Sequence, residues 1–130
     1  WKALGTKGIP QETLPVRQVG TGSAGALKSI VPDQKSPVIL VGDSHNLVFH
    51  AGGDMQTRDA GLPDQLAMEL GFPVDLAAVR GSGATPARVN LLRRAQKDPH
   101  YWKGKKLVIW CFAAREFTQS DGWKKVPLMP

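Results

Sequence analysis

The chain has a single cysteine, Cys111. No intramolecular disulfide can form, and a zinc site built on paired cysteines is excluded. Long hydrophobic runs are missing as well. The longest, Val38-Ile39-Leu40-Val41 and Leu107-Val108-Ile109-Trp110-Cys111-Phe112, are far too short to cross a bilayer as helices. The opening residues Trp1-Lys2-Ala3-Leu4-Gly5 hold neither an initiator methionine nor the apolar core of a secretory signal. The expectation is therefore a fragment of a longer precursor, with its amino-terminal part missing. Negative charge is scarce between residues 85 and 106, where Asp98 is the one acid among Arg88, Arg93, Arg94, Lys97, Lys103, Lys105 and Lys106.

What is present suits one folded α/β domain. The 130 residues amount to about one domain on a scale of roughly 150 residues each. A hydrophobic share of 42% against 22% charged residues is that of a globular chain. Charge is segregated within a net +6: residues 43–75 sum to −5 and residues 85–106 to +6. A basic stretch attracts anions of several kinds, including acidic polysaccharide, lipid and nucleic acid. No helix-turn-helix, zinc-finger or aromatic RNA-binding signature accompanies it, so nucleic acid is not an expected partner. Its plain reading is a solvated helix face followed by a lysine-rich loop.

Residues 1–36 are weakly periodic and read as an irregular leader or extension. Within them Leu14–Val19 is a candidate edge strand, weakened by Pro15. From 37 to 130 the signals sharpen. Val38–Val41 is a continuous apolar run, as in a strand covered on both faces of a parallel sheet. Leu62, Leu66 and Leu70 recur every four residues, with Pro63 suited to a first helical turn and Gly71 to a stop. Val74–Val79 reads as a second strand. Thr85 offers a cap and Pro86 a first-turn residue for a helix carrying Ala87, Leu91, Leu92 and Ala95. Leu107–Phe112 reads as a third buried strand. Strands starting at 38, 74 and 107, alternating with helices, are βαβ units of a parallel sheet with right-handed crossovers and 38–42 at its centre. Three or four strands make a thin α/β domain, which again suggests that part of it is missing.

Ligands bind such sheets at the carboxyl ends of the strands. The residues there are Gly42-Asp43-Ser44-His45-Asn46, then Arg80-Gly81-Ser82-Gly83-Ala84, then Ala113-Ala114-Arg115-Glu116. The first turn presents Ser44 at the start of a helix, where a backbone N–H and the helix dipole favour an oxyanion. The second is a glycine-rich loop whose backbone approaches a ligand closely. Ser44 is thus the candidate nucleophile, Asp43 the organiser of its turn, and Gly81 and Gly83 candidate oxyanion donors. An ordinary turn capped by Ser44 is the alternative.

A serine nucleophile needs a base. His45 neighbours Ser44, but adjacent side chains on a helix diverge. His50 falls on the following segment. His100, in Asp98-Pro99-His100, precedes the third strand and so belongs to the opposite edge of the sheet. No three-histidine or histidine–carboxylate metal set appears, and neither a metal nor a cofactor is expected. Cys111 reads as core, and Trp110 as packing under a helix. Trp102 and Trp123 are candidates for stacking on sugars, with packing the alternative. Arg115 is a candidate for binding a carboxylate-bearing sugar or helping to stabilise an oxyanion, or equally for an ion pair with Glu116 or a nearby acid.

Val38-Ile39-Leu40-Val41-Gly42-Asp43-Ser44 resembles the first block of the SGNH (GDSL-type) hydrolases, and Gly81-Ser82-Gly83 resembles their second. The ending Leu107-Val108-Ile109-Trp110-Cys111-Phe112-Ala113-Ala114-Arg115-Glu116-Phe117 is similar to the closing strand of the alginate O-acetyltransferase branch. The resemblance covers about residues 36–126. It implies a flavodoxin-like SGNH fold, incomplete here, with Ser44 as nucleophile and acetyl transfer to an exopolysaccharide in the bacterial periplasm. Its implied partners are a polysaccharide or acetylated sugar and a membrane protein that donates acetyl. A carbohydrate esterase and a non-catalytic polysaccharide-binding or assembly module are the alternatives. Two departures stand out. Ala113-Ala114-Arg115 occupies the place of the usual third-block asparagine, and the carboxyl-terminal Asp-x-x-His is missing. In the acetyltransferase branch the acid and base come from an Asp-x-His motif upstream of the serine, which here would lie before Trp1.

Overall fold

The computed structural model describes residues 12–81, 83–118 and 123–128. Among them three strands, β1 (Val38–Gly42), β2 (Asp75–Ala78) and β3 (Leu107–Cys111), form one parallel sheet in the order β2-β1-β3. Ile39 lies opposite Asp75 on one side and Val108 on the other, and the register runs on to Gly42 opposite Ala78 and Cys111. The central place of β1 follows from its composition: all five residues are buried, which only a strand covered on both faces tolerates.

Helix α1 (Leu62–Leu70) connects β1 to β2, and α2 (Ala84–Lys97) connects β2 to β3. The first connection steps to one side of β1, and the second returns across it. Two crossovers of the same hand in opposite directions place their helices on opposite faces. The two cores show this. Ile39, Val41 and Ala77 pack with Ala87, Leu91 and Ala95 of α2 and with Tyr101, while Val38, Leu40 and Val74 pack with Leu66 of α1. In α1, Pro63 sits in the first turn, where its missing N–H is harmless, and Gly71 ends the helix at φ 75°. A second short helix, α3 (Arg115–Thr118), follows β3.

Several boundaries differ from the sequence reading. Helix α2 begins two residues earlier than expected, with Gly83 rather than Thr85 as its cap, so Pro86 falls at its third position. Residues 14–19 form no strand. That segment is instead held by the Val19 N–H bond to the Asp59 carbonyl at 2.7 Å, and the leader continues through an Asp33 N–H bond to the Val74 carbonyl at 3.0 Å. The largest difference is β3. It was expected to be buried, yet it forms the sheet's edge, with Leu107 51% and Val108 50% exposed. An apolar run encodes a strand suited to cover on both sides, not the presence of the neighbours that supply it.

At the amino ends of the strands sits a buried carboxylate, Asp75. Arg94 of α2 pairs with one of its oxygens. The Tyr101 hydroxyl donates to the other at 2.5 Å, as does the Lys105 ammonium at 2.7 Å. Arg94 also donates to the Leu76 carbonyl at 2.7 Å, and Lys105 to the carbonyls of Gln34 at 2.5 Å and Ser36 at 2.9 Å. Burial, and then the hydrogen bond to a carboxylate, push the Tyr101 hydroxyl well above the ordinary tyrosine range. The network joins β2, α2, the turn before β3 and the segment leading into β1. Two of the seven bases between residues 85 and 106 are therefore structural partners rather than part of a solvated face.

Candidate active site

The chain leaves β1 toward β2 and later returns to the other side of β1 as β3. The carboxyl end between β1 and β3 is therefore the sheet's switch point, where a crevice opens between diverging connections. Asp43 and Ser44 stand there. The Asp43 carboxylate, fully buried, accepts from the His45 N–H at 2.9 Å, turning the chain sharply into a short 3-10 turn over Ser44–Asn46. Its second oxygen accepts from the Ala113 N–H at 3.0 Å, just past β3. Asn46 supplies a second link, donating to the Cys111 carbonyl at 3.0 Å. Gly42 permits this closeness: a Cβ there would fall 1.9 Å from the Asn46 amide nitrogen and 2.2 Å from the Cys111 carbonyl oxygen.

Asp43 thus organises the turn, as expected, and clamps it across the switch point. Burial works to raise its pKa. Hydrogen bonds from the Ala113 and His45 N–H groups and from the His45 ring outweigh that, and the carboxyl is held below its ordinary value of 3.8. A depressed carboxyl stabilises the fold fully above the unfolded-state pKa, about 4, and the contribution is lost as pH falls through the lower folded value. The thermal midpoint should accordingly drop on acidification below about pH 4. Asp43→Asn, which offers only one oxygen where Asp43 serves Ala113 and His45 with two, should start lower at neutral pH and show a shallower acid slope. An unchanged slope in thermal melts across that range would contradict this role.

Ser44 is half-buried at the open side of this turn, and among the described residues its hydroxyl has no hydrogen-bond partner. Its carbonyl accepts from the N–H groups of Leu47 at 2.9 Å and Val48 at 3.2 Å, so the backbone is fixed while the hydroxyl is left for a ligand. Beyond it, Val48 and Phe49 line an open cleft of about 350 Å³ with Glu12, Leu14 and Val16 of the leader. The loop after β1 is tied to the loop after β2 by Asp54 and Arg80, which pair through contacts of 2.6 and 3.1 Å.

The histidines are engaged elsewhere. The His45 ring binds Asp43 through Nδ1 at 3.0 Å and is otherwise largely exposed. His50 holds Asp64 of α1 at 2.9 Å, and Asp64 accepts from the Gly61 N–H at 3.0 Å, so this pair fastens the start of α1. His100 is exposed on the turn before β3, at the opposite edge from Ser44, as expected.

Gly81, at φ 68°, and Gly83 lie beyond the carboxyl end of β2, the strand next to β1. Ser82 lies outside the described residues. The structure adds a residue here that sequence reasoning overlooked. The Glu116 carboxylate of α3 accepts from the Ala84 N–H at 2.8 Å and so caps α2, where a negative charge meets the positive end of the helix. Gly83 makes room for it, since a Cβ would lie 2.2 Å from a carboxylate oxygen. Glu116 thus does not pair with Arg115, which is exposed and makes no ion pair among the described residues. Glycine before a helix signalled close approach, but nothing local showed that a carboxylate 32 residues away would fill the space.

The aromatic residues gather beside this cap. Trp110 stacks near Phe112 and Trp123 at centroid distances of 5.2 and 5.0 Å, and Phe117 joins at 5.3 Å from Phe112. The Arg88 guanidinium lies over both Trp110 and Trp123. Trp110 therefore packs beneath Arg88 of α2 and beside other rings. Trp102 is held through its indole N–H by the Leu128 carbonyl at 2.8 Å. Cys111 is half-buried, against the core on the α1 side. Among the described residues no cluster of histidine, cysteine or carboxylate side chains is arranged to hold a metal. No family model, no curated protein and no solved structure matches the chain.

Proposed function

We propose that this chain carries the nucleophile-bearing part of an SGNH-type acyltransferase, with O-acetyl transfer to an alginate-like exopolysaccharide as its reaction. The observation that carries the reading is Ser44 itself. Its hydroxyl has no partner among the described residues, and it stands at the switch point of a parallel sheet, on a turn fastened by a buried carboxylate. In this reading the Ser44 Oγ attacks the acetyl carbonyl carbon and its proton passes to a base. The carbon–oxygen bond to the leaving group breaks, and acetyl-Ser44 remains. A sugar hydroxyl then attacks the acyl carbon, and Ser44 leaves with its proton restored. The Ser44 backbone N–H and those of Gly81 and Gly83 are the oxyanion donors proposed on this chain. The Asp and His come from an Asp-x-His segment upstream of the serine, as in the family that the motifs resemble. An acetylated sugar, a membrane-borne acetyl donor and a periplasmic setting belong to the same proposal. Arg115, exposed and without an ion pair among the described residues, is its candidate for a uronate carboxylate.

A non-catalytic polysaccharide-binding module is the second reading. It is favoured by the engagement of His45 and His50 with aspartates, which leaves Ser44 without a base from either. Incubation with an activated acetyl ester followed by peptide mass spectrometry separates the two. The acyltransferase reading expects one acetyl group on the peptide containing Ser44, and none on Ser44→Ala. No adduct after prolonged incubation at high ester concentration would favour the binding module.

A further inference from the structure

We infer that Arg80 is a carboxylate-binding residue beside Ser44, and that the Asp54 carboxylate occupies it as an internal stand-in until a carboxylate-bearing sugar displaces it. Both residues stand well inside the chain, at the carboxyl edge of the sheet, where parallel sheets hold their ligands. The pairing of β1 with β2 runs one step beyond the strands, because the Val79 N–H bonds to the Gly42 carbonyl at 3.3 Å. Arg80 follows directly on one strand, and Asp43 and Ser44 follow directly on the other. Neighbouring strands are about 5 Å apart, so the base of the Arg80 side chain stands close to the chain entering the Ser44 turn. Asp54 arrives from the β1 side. The N–H groups of Gln56 and Thr57 bond to the Val48 carbonyl at 3.0 and 3.4 Å, and they fold the loop that carries Asp54 back on the segment after Ser44.

The contact itself has the form of a ligand complex. Nη1 and Nη2 of Arg80 each donate to a different oxygen of Asp54, at 3.1 and 2.6 Å. That two-pronged pairing is how an arginine recognises a planar carboxylate. Unlike Arg94 on the buried Asp75, this pair is open to water: 55% of the Arg80 side chain and 71% of the Asp54 side chain are exposed. An exposed pair adds little to stability, so its closed form outnumbers the open one only a few-fold. Asp54 can also leave without opening its loop. The base of the loop is closed separately, by the bridge between Ala51 and Arg58 and by the Gly52 N–H bond to the Thr57 carbonyl at 2.9 Å. Gly52 and Gly53, at φ 65° and 66°, make the sharp turn that leads to Asp54. A ligand carboxylate therefore meets a fork already shaped for it, held by a competitor that is easily exchanged.

Carboxylate recognition needs nothing of the chemistry of Ser44, whereas a sugar as the carrier of that carboxylate rests on the acyltransferase reading. The isotopically labelled 130-residue chain is titrated with glucuronate, with glucose and with acetate, and its backbone amide and arginine Nε–H resonances are followed. Glucuronate should shift the resonances of Arg80 and its neighbours saturably, acetate should bind more weakly, and glucose should leave them in place. Asp54→Asn should tighten glucuronate binding about three- to fivefold, because a site competent part of the time loses apparent affinity by that fraction. Arg80→Lys keeps the charge but not the fork. Alone or with Asp54→Asn it should abolish saturable binding, which a mere gain in net positive charge would not do. Circular dichroism checks that each variant is folded. Ser44→Ala should bind glucuronate as the parent does, so a failure of Ser44 to take acetyl would leave this result standing. Equal shifts by glucose and glucuronate would overturn the proposal, as would unchanged affinity in Asp54→Asn or binding retained by Arg80→Lys. Acetate binding as tightly as glucuronate would overturn the sugar as the ligand.

Discussion

Asp75→Ala should lower the unfolding free energy by about 3–5 kcal/mol, a large part of the 5–15 kcal/mol typical of a whole domain. The size follows from what would be left behind. Arg94 and Lys105 are both largely buried and converge on this one carboxylate from different parts of the chain, and the Tyr101 hydroxyl joins them. Without it, two positive charges lie close together in a poorly solvated site. Asp75→Asn keeps the shape but not the charge, so it should fall between the parent and Asp75→Ala. Asp75→Asn combined with Lys105→Met should recover part of the loss, because a buried ion pair replaced by neutral groups of similar volume is often tolerated. Urea unfolding of the four proteins measures this. A loss below about 1 kcal/mol for Asp75→Ala, the scale of an exposed pair, would show the network to be well solvated.

That network also shows where the sequence stopped being informative. Arg94 and Lys105 stand in a run of bases, and by composition they read as a solvated face. Their partner lies 19 and 30 residues away, on a strand whose apolar neighbours conceal it. Glu116 and Ala84 pose the same problem across 32 residues. The legible features were local or periodic. β1 announced its central place by four apolar residues in succession, Val38–Val41. Asp43 announced its turn because an aspartate accepting from the N–H two residues on depends only on the chain beside it. The loop residues at the carboxyl ends were legible because a parallel sheet fixes which ends of its strands face the crevice. What no local pattern carried was that β3 has no second strand neighbour among the described residues, and that the His45 ring turns toward Asp43.

The placement of the histidines leads to the second large effect. On the acyltransferase reading, the 130-residue chain should turn over simple acetyl esters poorly, and a longer polypeptide that adds an Asp-x-His ahead of Trp1 should do so well. On that reading, what Ser44 lacks among the described residues is a base. The His45 ring is bonded to Asp43, the His50 ring to Asp64, and His100 lies at the far edge. In a well-studied serine hydrolase, loss of the serine or of the histidine alone lowers kcat by about 10⁶, and removing triad members leaves roughly 10³–10⁴ over water. The short chain should fall near that residual rate, and the longer one should exceed it by several powers of ten. Ser44→Ala in the longer polypeptide should return the rate to the residual level, while His45→Ala should change it far less, since its ring orients toward Asp43 rather than the nucleophile. Initial rates with an activated acetyl ester, corrected for buffer hydrolysis, measure all four. Vigorous turnover by the short chain, abolished by His45→Ala or His50→Ala, would instead place the base within these residues. The Asp43–His45 pair would then become the acid–base partner of its own neighbour, Ser44.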